Sequence, residues 1–457
     1  MKRFFRYISM LLILILSVSS LAQTTTQWRA MHKVKKHETL FNIANQYGLT
    51  VEELLNANSE MNVPGYELKK GSYICIPYTK DQKEVIVKKG GEFNSTITKN
   101  NADDIKGRVI RVGVMLPLHN ADGDGRRMIE YYRGLLMACD SLKKSGLSVD
   151  IHSWNVAADT DIRIILLNKA ASQCDVIFGP LYSNQVKPLS DFAMSHGIKL
   201  IIPFSISSSE VLRNRDIFQI YQSANDLNET AIKKYFDRFS AYHPVFIDCN
   251  DTASTKGIFT MGLRRQLETH GILYSITNLK SSEIQFAKAF SRTKPNVVIL
   301  NTSRSPELNV AFAKLNGMLV NTPGIVISMY GYTEWLMYTQ YNLDNFYRFD
   351  TYIPSTFYYN SLSSSTRSFE QKYIKHFHSD MQSYLPRFAI AGFDHAYYFL
   401  NAFHLYGKNF EGNLKSSYYI PIQTPLHFSR VGNGGLQNKS FMFVHYKYNH
   451  TIETIKY

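Results

Sequence analysis

Beyond Arg108 the chain alternates between two hydrophobic periods. The short, nearly continuous apolar runs RVIRVGVMLPL, SVDIHSWNV, CDVIFGP and IKLIIPFS read as buried strands. Between them, MIEYYRGLLMACDSLKKSG and SNQVKPLSDFAMSHG carry apolar residues at helical spacing, the first stopping at Gly146. VFIDCN, NVVILN and GIVISMYG repeat the pattern further on. Strands that are apolar throughout are covered on both faces, so the alternation predicts parallel sheets flanked by helices. About 350 residues of such sequence exceed a single core, and two α/β lobes are expected over residues 108–457.

A separate, smaller pattern occupies residues 28–78. HKVK reads as a strand, LFNIANQYG as a helix that Glu38 or Thr39 can cap and Gly48 ends, and TVEELLNAN as a second helix. Thr50 and Glu53 have capping-box spacing, and LKKGSYICIP is a second strand behind a Lys-Gly turn. The predicted order is βααβ. Residues 79–107, rich in Lys, Asn, Asp and Gly and poor in large apolar residues, read as a linker.

The N terminus changes the cellular setting. Lys2, Arg3 and Arg6 precede the apolar run Ile8 to Val18, and Ser20 and Ala22 place small residues at −3 and −1 of a cut before Gln23. Residues 1–22 are therefore expected to be an export signal, too short to span a bilayer core of about 30 Å. No cysteine follows the run, which leaves no basis for a lipid anchor. The formal net charge is +14, and the basic residues outside the signal are spread thinly. With no basic block or aromatic-interleaved stripe, nucleic acid is not an expected partner, and a diffuse attraction to an anionic wall or lipid surface is. Cys75, Cys139, Cys174 and Cys249 sit in apolar runs with no CxxC spacing and read as small core residues. No metal or other cofactor is expected.

Over residues 28–78 the positions Val34, Thr39, Leu40, Ile43, Ala44, Tyr47, Gly48, Leu54, Leu55, Asn58, Leu68, Gly71, Ile74, Ile76 and Pro77 resemble the LysM pattern. LysM modules hold the N-acetylglucosamine chains of peptidoglycan in a shallow groove. The resemblance implies that His37, Glu38, Thr39 and Leu40 line one side of that groove, and Asn58, Ser59, Glu60 and Met61 the other. Where the family has Gly-Asp before its Thr-Leu, this chain has His37-Glu38.

From Arg108 onward the chain resembles the type I periplasmic binding proteins that take branched-chain amino acids. RVGVMLPL, YYRGLLMACD, CDVIFGPLYSNQVKPLSDFAMSHGIKLIIPFS and AGFDHAYYFLNAF carry the likeness. It implies two lobes closing on a solute, with hydroxyls and helix-start N–H groups holding a carboxylate and an acidic residue holding the amino group. Ser183 falls at the family's first hydroxyl. Phe204 and Ile206 occupy the second loop, flanked by Ser205 and Ser207. Tyr221 maps to a cleft aromatic and Glu334 to the amino-binding acid. Asp394 reads as a helix-start cap.

G-x-S-x-G, H-E-x-x-H and P-loop patterns are absent from the sequence. GDGRRM reads as a loop without dinucleotide spacing, and Ser361 to Arg367 as a polar loop. Three functions follow as expectations. The first is a non-catalytic, exported, wall-associated protein whose large domain senses a small ligand or docks a cell-wall partner, an architecture similar to that of peptidoglycan-synthase activators. The second is a solute receptor for an amino-acid ABC importer, and the third a wall hydrolase.

Overall fold

The computed structural model describes residues 28–58, 61, 68–71, 73–77, 105–106, 108–415 and 418–457. The expected export signal, Ser59, Glu60 and all of the expected linker except Ile105 and Lys106 lie outside the described residues.

The small module has the expected βααβ order: β1 (Trp28–Lys33), α1 (Leu40–Gln46), α2 (Val51–Ala57) and β2 (Tyr73–Pro77). The strands pair antiparallel, with His32 opposite Ile74. Two seven-residue helices are too short to persist alone. They are held by one core of Val34, Ile43, Ala44, Leu49, Leu54, Met61, Ile74 and Ile76. The termini are satisfied locally. Thr39 Oγ1 accepts from Asn42 N, and Thr50 and Glu53 form the capping box the sequence spelled.

The large domain begins with β3 (Ile110–Leu116), α3 (Gly123–Lys143) and β4 (Val149–Asn155). Two short helices, α4 (Ile162–Leu166) and α5 (Lys169–Ser172), lead to β5 (Val176–Phe178), α6 (Ser183–His196), β6 (Lys199–Ile202) and β7 (Ile217–Gln219). The chain then enters a second lobe: α7 (Ala224–Phe239), β8 (His243–Asp248), α8 (Gly257–Thr269), β9 (Ser275–Asn278), α9 (Glu283–Ala287), β10 (Asn296–Leu300), α10 (Ser305–Asn321), β11 (Ile327–Tyr330), α11 (Thr339–Arg348) and β12 (Thr351–Ser355). It returns to the first lobe with α12 (Ser364–Phe377), α13 (Phe388–Tyr406), β13 (Phe428–Arg430) and β14 (Leu436–Asn438), and ends in the second with β15 (Met442–Tyr446) and β16 (Ile452–Lys456).

Each lobe has one seven-stranded sheet, in the orders β13-β14-β7-β6-β5-β3-β4 and β16-β15-β12-β11-β10-β8-β9. The expectation of parallel sheets holds for the centre of each and is corrected at one edge. There β13 runs antiparallel to β14, β15 to β12, and β16 to β15. The segment after α13 folds as strands and hairpins, which need no helical crossover. Two loop assignments are also corrected. GDGRRM is the first turn of α3, capped by Asp122, whose Oδ1 accepts from Gly125 N at 2.7 Å, and Ser364 to Arg367 open α12.

Two motif glycines explain how α13 seats on α3. A Cβ on Gly134 would lie 1.8 Å from the carbonyl oxygen of Ala389, and one on Gly392 1.9 Å from that of Tyr131. The first-lobe core, with Val112, Val114, Phe178, Phe218, Phe399 and Phe403, forms around this contact and includes Ile105 from the expected linker. Asp394 is no helix-start cap. It lies fully buried inside α13 and accepts from Tyr419 Oη and from the backbone N–H groups of Ile422, Gln423 and Thr424, pinning that loop. Cys139, Cys174 and Cys249 are buried and free, and burial pushes each thiol up to about 12. Among the described residues no helix is long and apolar enough to cross a membrane.

Candidate functional site

The turn between β1 and α1 carries the departure from the LysM pattern. His37 has φ +68°, the left-handed conformation that glycine adopts without strain. The family's glycine at this position would hold such a conformation without strain. Glu38 supplies a carboxylate where the family has Asp. Its Oε2 accepts from the backbone N–H of Lys35 at 2.6 Å and lies 2.8 Å from Nε2 of His32, which is buried. The other ring nitrogen of His32 lies 3.0 Å from Tyr47 Oη. The Lys35 N–H, and next the His32 ring, hold the Glu38 carboxyl below the usual carboxylate range. The lip of the module is therefore a closed polar circuit joining β1, the turn and the end of α1.

The other expected groove residues divide. Thr39 is exposed and caps α1, and Leu40 is half-buried against the core. Asn58 is fully buried, its Nδ2 donating to the Leu54 carbonyl at 2.8 Å, and Met61 belongs to the core. Ser59 and Glu60 lie outside the described residues. Beside Thr39 and Leu40 stands Phe41, 67% exposed. Sequence reasoning passed over it, although it sits off the stripe formed by Leu40, Ile43, Ala44 and Tyr47.

In the large domain the structure brings together two expected hydroxyls. Ser183 opens α6, Ser205 follows β6, and their Oγ atoms are 3.0 Å apart. Ser207 is exposed further along the same loop. Phe204 stacks on Tyr221 with ring centroids 5.8 Å apart and planes 17° from parallel, and meets Tyr131 edge-on at 5.4 Å and Phe388 at 5.3 Å. Burial pushes the Tyr221 phenol up. An aromatic cluster thus stands beside the serine pair.

Charge at this edge comes from α3, a signal hidden in GDGRRM. Asp124 pairs with Arg127 and accepts from Tyr182 Oη at 3.2 Å, next to Ser183. Arg127 lies 5.5 Å from the Tyr384 ring centroid and 5.8 Å from that of Phe388. Arg127 neutralises the Asp124 carboxylate, and the pair is held beside the start of α6 through Tyr182. In the second lobe Glu334 is ion-paired with Lys256 Nζ at 2.7 Å, and the same ammonium lies 5.0 Å from the Tyr332 ring centroid. Glu334 already has its cation. Among the described residues no group of three or more His, Cys, Asp or Glu is placed to hold a metal.

These parts divide the chain into a LysM module and a two-lobed domain of the type I periplasmic-binding-protein fold. Residues 32–77 match the LysM domain family. The large domain is similar to a branched-chain amino acid ABC transporter protein from Rhodospirillum rubrum, at 13% identity and TM-score 0.52, covering 76% of this chain and 100% of that one. It is also similar to LivJ from Streptococcus pneumoniae in complex with isoleucine, at 13% identity and TM-score 0.42, covering 77% and 100%. LpoA from Haemophilus influenzae matches at 14% identity and TM-score 0.48, covering 77% of this chain and 60% of that one. Such identities fix the fold and nothing finer. Among curated proteins none matches the chain.

Proposed function

We propose that this chain is an exported, non-catalytic peptidoglycan-binding protein. Its LysM module, expected over residues 28–78, holds it on N-acetylglucosamine-containing glycan. Its two-lobed domain, residues 108–457, acts at the wall as a sensor of a small ligand or a dock for a cell-wall partner. The observation that carries the reading is the preserved lip of the module. His37 adopts the glycine conformation and Glu38 supplies the carboxylate that closes the turn. His37, Glu38, Thr39 and Leu40 are proposed as one side of the glycan groove, with exposed Phe41 beside them. Residues 58–61 are proposed as the other side, Asn58 and Met61 supporting it from within.

The Ser183–Ser205 pair favours a second reading, a solute receptor for an amino-acid importer. Two features weigh against it: the Phe204–Tyr221 stack and the Lys256 partner of Glu334. Calorimetric titration of the mature chain with N-acetylglucosamine oligomers tests the first reading. Saturable binding that vanishes when residues 28–78 are deleted supports it, and heat that survives the deletion contradicts it.

A further inference from the structure

Beside α11 the large domain holds a cavity of about 450 Å³, within the range of small-molecule sites. Its walls come from α11 and the turn before it, from segment 358–362 that crosses between the lobes, from segment 383–387 that leads into α13, and from the β15–β16 hairpin. It shares no lining residue with Ser183, Ser205 or Tyr221.

Five tyrosines line it: Tyr347, Tyr358, Tyr359, Tyr384 and Tyr446. The rim keeps apolar surface in water, with Met337 54% and Leu362 71% exposed. Exposed apolar surface around a concave, ring-lined space marks a binding site. Amide side chains of Gln340 and Asn360 also face it and offer donors and acceptors together.

Arg387 supplies the distinguishing charge. It lines the cavity, and its guanidinium lies 4.6 Å from the Tyr359 ring centroid. Its Nη1 donates to the Gln382 carbonyl, its buried Nε has no hydrogen-bond partner, and among the described residues no carboxylate lies within ion-pair distance of it. Two carboxyl groups of the neighbourhood lie beyond ion-pair distance of it. Glu370 accepts from Tyr359 Oη at 2.5 Å and Glu130 from the Gln382 N–H at 2.5 Å. An unpaired guanidinium among aromatic rings calls for an anion on a ring-shaped body. Tyrosine faces suit the C–H faces of a sugar, amide side chains suit its N-acetyl and hydroxyl groups, and the fork of Arg387 suits a carboxylate.

We infer that this cavity is a second, small-ligand site of the protein, taking a carboxylate-bearing N-acetyl sugar of the muramyl-peptide class. The inference rests on the proposed location at the wall, and it places the sensing function of the large domain outside the inter-lobe serine pair.

The test is calorimetric titration of the full mature chain with three probes: N-acetylmuramyl dipeptide, N-acetylglucosamine oligomers and L-leucine. Muramyl dipeptide is expected to saturate. Arg387→Gln is expected to weaken it about tenfold or more, the value of a hydrogen bond to a charged group. Leu362→Asp, a rim change with no packing to lose, should weaken it too by repelling the carboxylate. Oligomer binding should be the same in both variants. Absence of saturable muramyl dipeptide binding, equal binding in both variants, or leucine binding that depends on Arg387 overturns the assignment. Loss of oligomer binding by the unsubstituted chain overturns the LysM reading instead and leaves this cavity's test intact.

Discussion

Gly134 and Gly392 seat α3 and α13 against each other reciprocally, each occupied by the backbone three residues before the other glycine. A methyl group on either meets a carbonyl oxygen, that of Ala389 or Tyr131, at under 2 Å. The helices must part by more than an ångström to admit it, and the first-lobe core opens with them. Gly134→Ala or Gly392→Ala should each cost about 3 kcal/mol, at the upper end for overpacking. Urea denaturation of the full chain checks this, and an unchanged transition midpoint would show that the crossing is looser than described.

Asp394 is the second structural anchor of α13. Removing its carboxylate leaves three backbone N–H groups of residues 422–424 and the Tyr419 hydroxyl without their acceptor inside the fold. Asp394→Ala should destabilise by about 3–5 kcal/mol. Asp394→Asn, which retains one acceptor oxygen, should cost less. Equal losses in the two variants would contradict the loop-pinning role.

In the small module, acid should loosen the turn before it unfolds the large domain. The Glu38 carboxyl is held below its ordinary value, so its contribution is complete above the unfolded value of about 4.3. It is lost as pH falls through the lower folded value. The protection of the Ile43 and Ala44 amides, relative to their intrinsic exchange at each pH, should therefore fall below about pH 4.3 in the natural chain. The fall should be blunted in Glu38→Gln, and an identical pH response in both chains refutes the circuit.

Phe41 gives a direct probe of the glycan face. Its ring is exposed and makes no core contact, so Phe41→Ala should leave the module folded. Loss of an exposed anchor aromatic at a binding face should weaken oligomer affinity by about tenfold. Unchanged affinity with unchanged folding moves the groove elsewhere.

For the inter-lobe cleft the expectation is silence. A cleft ligand at 100 times its dissociation constant stabilises by about 2.7 kcal/mol. L-leucine, L-isoleucine and L-valine should leave the melting temperature of the natural chain unmoved, since the Phe204–Tyr221 stack stands beside the serine pair and Lys256 already engages Glu334. A clear shift with any of the three restores the importer reading.

Much of this architecture was legible because burial on both faces writes strands as unbroken apolar runs. β3, β5, β6 and β10 are such runs, and the helices between them end where left-handed glycines such as Gly146 and Gly197 stand. The C-terminal strands were not legible. β13 and β14 are three residues each, and β16 is only partly covered, so neither length nor periodicity announces them. At the sites, types were legible and pairings were not. The family resemblance implied that Ser183 and Ser205 face one cleft, but nothing local told that Phe204 would stack on Tyr221. Nor did it tell that Lys256, far from Glu334 in the chain, would neutralise it. In sequence the His37-Glu38 pair was visible only as a departure from the family's Gly-Asp. Only the dihedral angle and the Lys35 N–H show how the turn is kept.

The central claim is that residues 28–78 hold this protein on peptidoglycan. Co-sedimentation of the mature chain with purified peptidoglycan tests it most directly, run beside the chain lacking residues 28–78 and in salt high enough to screen the diffuse positive charge. The account predicts that the mature chain sediments with the wall in high salt and the deleted chain stays in the supernatant. Retention of both chains, or of neither, contradicts it.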